Sequence, residues 1–194
     1  MKTVKKILSL IPALVLWLMI SLFLWGFVFN QITDTDPAHK ITLYVDARVT
    51  DETKLAVLLE ENAGENIRMA KARAFSYALF DGTVLERADL LIVPASHVET
   101  YRDWFRPLPE DMREYAPLLL LEGEPWGIRV YDPKTGEGAA ASFIDYRSQE
   151  EAEEFYLFFG NQSLHTLGNE NALDNEAVSA AKLLMENDGK EGEK

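Results

Sequence analysis

From Ile7 to Phe29 the chain reads ILSLIPALVLWLMISLFLWGFVF, with no charged side chain, directly after Lys2, Lys5 and Lys6. At about 1.5 Å of rise per helical residue, a run of roughly 23 residues covers the ~30 Å hydrocarbon core of a bilayer. The pattern predicts a transmembrane helix over 7–29, after a basic stub at 1–6. A polar stretch at 30–40 reads as a linker. The apolar run exceeds the roughly 7–15 residues of a secretory signal, and no small-residue cleavage site follows it, so it reads as an anchor. The three leading lysines put the N-terminus in the cytoplasm and the body of this single-pass chain outside the cell membrane.

Beyond the linker the periodicity changes. Ile41–Val45 alternates β-branched and aromatic residues and predicts a strand. Thr50 or Asp51 caps a following helix with Leu55, Leu58 and Leu59 on one face and Gly64 at its end. Ile67–Arg73 predicts a second strand and Ala74–Phe80 a short helix, ended by Asp81-Gly82. Leu90–Val93 is a continuous apolar run closed by Pro94, the mark of a strand buried on both faces. Ser96 and Glu99 have capping-box spacing, with Val98, Tyr101 and Phe105 striping a helix that Pro107 limits. Strand–helix alternation of this kind implies a mostly parallel sheet.

The second half predicts a hairpin. Trp126–Tyr131 and Ala140–Tyr146 are its strands, and Asp132-Pro133-Lys134-Thr135-Gly136 is its turn. Phe155–Phe159 reads as a buried strand, or as the end of a helix running from Ser148; periodicity does not separate the two. Asp174 or Asn175 caps a last helix carrying Val178, Ala181, Leu184 and Met185, and 187–194 is a charged tail with the composition of disorder. The expected class is α/β: an N-terminal transmembrane helix, then one three-layer domain over 41–186 with a mixed, mostly parallel sheet.

Three of the 19 Lys+Arg precede the apolar run, leaving 16 against 32 Asp+Glu, a formal charge of about −16 for the remainder. That balance argues against nucleic acid, whose phosphates need clustered cations. The absence of cysteine removes disulfides, thiol catalysis, Cys-ligated zinc and a lipidated cysteine anchor.

Catalytic patterns are missing. His39, His97 and His165 stand apart in sequence, without metal-ligand spacing, and read as surface or linker histidines. No serine sits in G-x-S-x-G, and no Gly-rich phosphate loop occurs. The acidic pairs Asp34/Asp36, Glu60/Glu61, Glu150/Glu151 and Glu153/Glu154 read as solvated faces. Asn161-Gln162-Ser163 matches a glycosylation acceptor, a pattern short enough to arise by chance. The chain therefore reads as a non-enzyme, with no cofactor and no metal. Open α/β sheets bind ligands beyond the carboxyl ends of their strands. That rule selects Asp46, Arg48, Ser76, Tyr77 and Ser96 as candidate ligand-binding residues, with Trp126 as an aromatic platform. The competing reading makes Ser96 a helix cap and Tyr77 and Trp126 packing residues.

KITLYVDA, ADLLIVPASHVETYRDWFRPL, FYLFFGNQSLHTLG and DNEAVSAAKLL together resemble segments of the extracellular solute-binding proteins of ABC importers, those of the type 2 periplasmic-binding fold. The likeness spans most of 40–186. Such proteins have two lobes, and this chain has room for one. The resemblance implies a single-lobe, membrane-anchored binding or accessory module beside an ABC permease or another extracellular protein, taking a sugar, oligosaccharide or peptide. The alternative is an assembly protein that docks on a membrane complex without a small ligand.

Overall fold

A computed structural model describes residues 2–33, 35–47, 50–61, 64, 66–78, 82–144, 153–168 and 172–186. Two units result, residues 1–36 and 37–194. The first is one continuous helix, α1 (Lys2–Thr33), with Pro12 inside it. The helix thus takes in the basic stub and the start of the expected linker. Its side chains are described at 11–26 and 28, and the large apolar ones, such as Trp17 and Phe23, are exposed. Among the described residues no helix is long and apolar enough to cross a membrane.

In the second unit, side-chain alternation builds a two-faced sheet. β1 (Lys40–Val45) pairs in parallel with β2 (Met69–Ala74) on one side and β3 (Leu90–Pro94) on the other. β7 (Phe155–Gly160) lies antiparallel to β3 and carries both β6 (Glu124–Tyr131) and the two-residue β4 (Phe105–Arg106). β5 (Leu118–Leu121) forms the edge beyond β6, so the order is β2-β1-β3-β7-β6-β5. The expected α/β class and mixed sheet are present. Parallel pairing is confined to β2-β1-β3, because every connection in the second half returns the chain antiparallel.

Ile41, Leu43, Leu90, Ile92, Ile128, Phe155 and Leu157 point to one face. There they meet Leu55 and Leu59 of α2 (Glu52–Glu61) and Ala177, Val178, Ala181 and Leu184 of α4 (Glu176–Glu186). Asp51 caps α2 by accepting the Lys54 N–H at 3.0 Å, and Asp174 accepts the Glu176 N–H at 3.1 Å. Tyr44, Leu91, Val93, Tyr156 and Phe158 point to the other face, toward Phe75, Leu85, Val98 and Phe105. The third layer expected there is reduced to the five-residue α3 (Gly82–Glu86) and 3-10 turns at Phe75–Ala78, Ala95–His97 and Arg102–Trp104.

Three expectations are corrected. The helix with a capping box after β3 does not form. The Ser96 N–H donates to Glu153 Oε2 at 3.0 Å, and the chain runs through 3-10 turns into β4, while Val98 and Phe105 are still buried. The expected turn at 132–136 is present, closed by the isolated Asp132–Glu137 bridge, but the strand that pairs with β6 in a hairpin is β5, joined by Glu122-Gly123 with φ of 54° and 89°. Two positive φ values match the twist of a tight hairpin. The segment expected as a strand at 140–146 is instead a set of turns through Ile144, with Ala139, Ala140, Phe143 and Ile144 buried against the α2–α4 face. Gly138, at φ 140°, requires those turns, since a Cβ there would stand 2.1 Å from the Val130 carbonyl oxygen. Phe155–Gly160 resolves as strand, not helix. The helix considered from Ser148 begins outside the described residues, as do Asp81 and the tail at 187–194.

Candidate functional site

The order in which strands are added reverses between β1 and β3: β2 lies on one side of β1 and β3 on the other. After β1 it crosses to α2 on one face; after β3 it turns onto the opposite face through Ala95–His97. A parallel sheet opens a crevice at such a switch point, beyond the carboxyl ends of the two strands. Asp46 follows β1 directly, and its N–H donates to the Ile92 carbonyl at 2.8 Å, which extends the ladder and fixes the backbone. Its carboxylate Oδ2 lies 2.6 Å from Nδ1 of His97, which follows β3. The pair joins the two banks of the crevice.

His97 is half exposed, and its ring meets Tyr101 edge-on, centroids 5.9 Å apart. Tyr101 stacks on Trp104 at 4.8 Å and touches Phe75 at 5.3 Å. Burial, and then the Asp46 carboxylate, push the Tyr101 phenol above its ordinary pKa. Beside this ladder the start of β7 brings more carboxylates. Ala95 donates its N–H to the Glu154 carbonyl at 2.9 Å. Glu154 accepts from Arg129 at 2.8 Å and from the Tyr156 hydroxyl, and Arg129 also reaches Asp132 at 3.1 Å. The Tyr156 hydroxyl and Arg129 hold Glu154 below the usual carboxylate range, while burial and Glu154 push Tyr156 up to about 12.

His97 Nδ1 faces the Asp46 carboxylate, and among the described residues no hydroxyl meets the ring. The arrangement offers acceptors and aromatic rings. Among the described residues no group of three or more His, Cys, Asp and Glu is placed to hold a metal ion.

Of the six residues selected from sequence, Asp46 and Ser96 follow β1 and β3 at the switch point, Asp46 bonded to His97 and Ser96 donating its backbone N–H to Glu153. Ser76 is exposed in the turn after β2, at the same end of the sheet and without a hydrogen bond to the pair. Arg48 and the Tyr77 side chain lie outside the described residues. Trp126 is corrected: it sits near the start of β6, at the far end of the sheet, packed on the second core face with Arg102 5.7 Å above its ring. Sequence reasoning missed His97, Tyr101 and the roles of Glu153 and Glu154. The signal for His97 was its place just after β3, facing a carboxylate just after β1. Comparison with known proteins returns no match, whether to a protein-family model, to a curated protein or to a solved structure.

Proposed function

We propose that this chain is a membrane-anchored, extracytoplasmic, single-lobe binding module, serving as a binding or accessory component beside an ABC importer. The observation that carries the binding reading is the Asp46–His97 contact across the β1/β3 switch point. Carboxylate oxygens, an imidazole and the Tyr101 ring suit a ligand rich in hydroxyl or amide groups, such as a sugar, an oligosaccharide or a peptide. The crevice lies at the carboxyl end of β1, while the chain arrives from the linker at Lys40, the opposite end of that strand. The solute-binding resemblance of the segments given above supports the transport setting.

The anchor rests on composition and on exposure. The run from Ile7 to Phe29 carries no charged side chain, and Trp17 and Phe23 of α1 are 74% and 77% exposed, apolar surface that a nonpolar environment would cover. Membranes from cells expressing the full chain are expected to retain it through alkaline carbonate washing and release it with detergent. Release by carbonate would overturn the anchor.

For binding, the full chain in detergent is screened by thermal shift and calorimetry against sugars, oligosaccharides and short peptides. The expected result is a ligand whose affinity falls about tenfold or more, roughly 1.4 kcal/mol, in Asp46→Asn and His97→Ala. Neither variant touches the core, so both should keep the wild-type melting temperature within about 2 °C without ligand. A screen without a hit, or a ligand indifferent to both variants, overturns the reading. A second reading, docking on a membrane complex, draws on the open edge of β5, where Leu120 is 57% exposed. Crosslinking through β5 would favour it.

A further inference from the structure

A second cluster of titratable groups lies at the other end of the sheet and takes no part in the crevice. His165, expected at the surface, is buried, with its side chain 1% exposed. Its Nδ1 lies 2.8 Å from Asp174 Oδ1, and its Nε2 lies 2.9 Å from the Pro37 carbonyl oxygen. A carbonyl oxygen only accepts, and so does a carboxylate. Both ring nitrogens therefore donate, and the ring is an imidazolium.

The surrounding groups fit that charge. Ser163 Oγ accepts the His165 N–H at 3.0 Å and donates to Asp89 Oδ1 at 2.7 Å, which places a second carboxylate behind Asp174. The Ala177 N–H of α4 donates to the His165 carbonyl at 2.9 Å, so the backbone is held as well as the ring. From β4, the Arg106 guanidinium donates to the Thr166 carbonyl at 3.3 Å and also lies against Gly168 of this loop. From the segment before β1, His39 turns its Nδ1 to the Asn66 carbonyl, at 2.8 Å. Burial opposes the charge on His165, but the Pro37 carbonyl, Asp174 and Asp89 outweigh it, and its pKa stands above the ordinary 6.5.

We propose that the His165 imidazolium is a proton-dependent clasp, fastening Pro37–His39, the stretch between α1 and β1, to the loop after β7 and the start of α4. A neutral imidazole keeps one N–H. The carboxylate of Asp174 is the stronger acceptor and retains it. Nε2 then presents a lone pair to the Pro37 carbonyl, and that contact opens, while the Arg68 N–H, 2.9 Å from the His39 carbonyl, still holds the end of the segment. Because the folded pKa is raised, the clasp contributes its full stability below about pH 6.5 and loses it as pH rises through the folded value. The clasp goes beyond the ligand reading and stands or falls separately from it.

The test uses the full chain, isotope-labelled, in detergent micelles. Long-range 1H–15N spectra of the His165 ring are followed from pH 5 to 10, together with the amide signals of Ala38 and His39. Both ring nitrogens are expected to be protonated at pH 6. The ring should titrate above the usual histidine range, and the two amide signals should shift with the same midpoint. Asp174→Asn should lower that midpoint by a unit or more. The wild-type titration decides the matter even if the variant folds poorly. A neutral ring at pH 6, or a titration that leaves Ala38 and His39 unmoved, overturns the clasp.

Discussion

Gly160→Ala is expected to destabilise the domain by about 3 kcal/mol or more, toward the upper end of overpacking costs. Gly160 closes β7, pairs with Phe105 of β4 and donates its N–H to the Asp89 carbonyl at 3.0 Å. A Cβ there would lie 1.8 Å from the Ala88 carbonyl oxygen. Backbone is the obstacle, so no rotamer relieves the clash. Either the β3–β7 register opens or the turn between α3 and β3 moves, and both pull on the buried Leu90 and Phe159. For a domain of this size the loss corresponds to roughly 6–12 °C in melting temperature. Gly136→Ala is the control. Its φ is 74° with nothing within 4 Å, so only backbone strain applies, about 1 kcal/mol. Equal melting temperatures for the two variants would refute the steric account.

Much of this fold was legible where one physical demand ruled a segment. Lys40–Val45 and Leu90–Pro94 had to bury apolar side chains, and the last helix carried its stripe at helical spacing. Phe155–Gly160 was ambiguous because six buried residues in a row have no period. Pairing with β3 and β6 decided it. Leu118–Leu121 was missed for the same reason: four leucines carry no alternation, and the hairpin signal sat in the backbone of Glu122-Gly123. The turns at 139–144 deceived differently. Their apolar residues are core, but the close approach of Gly138 to Val130 bends the chain where periodicity asked for a strand.

At the crevice, the switch-point rule located Asp46 and Ser96 because it depends only on strand order. It did not locate His97 as a partner, since 51 residues separate it from Asp46. Ser96 misled in an informative way. Its spacing to Glu99 offered a local cap, and a distant carboxylate, Glu153, took the N–H instead. Glu60 and Glu153, assigned to solvated faces, both accept backbone N–H bonds, from Ala70 and Ser96.

Asp89→Ala is expected to cost about 3–5 kcal/mol, the range for removing one partner from a buried charged network. Asp89 is 3% exposed, and its carboxylate accepts the Thr42 N–H at 2.8 Å, the Thr42 hydroxyl at 3.0 Å and the Ser163 hydroxyl at 2.7 Å. Alanine leaves all three donors in a dry site and takes one carboxylate from the His165 imidazolium. Asp89→Asn separates the two effects. Its oxygen still serves Thr42, but its amide meets a Ser163 oxygen already accepting from the His165 N–H and the Thr166 hydroxyl. The expected loss for asparagine is smaller, about 1–3 kcal/mol, one frustrated buried hydrogen bond. Urea unfolding of both variants in detergent measures the difference. If Asp89→Ala unfolded at the wild-type urea midpoint, the cluster would be an ornament of the fold and not one of its fastenings, and the clasp built on His165 would lose its second carboxylate as well.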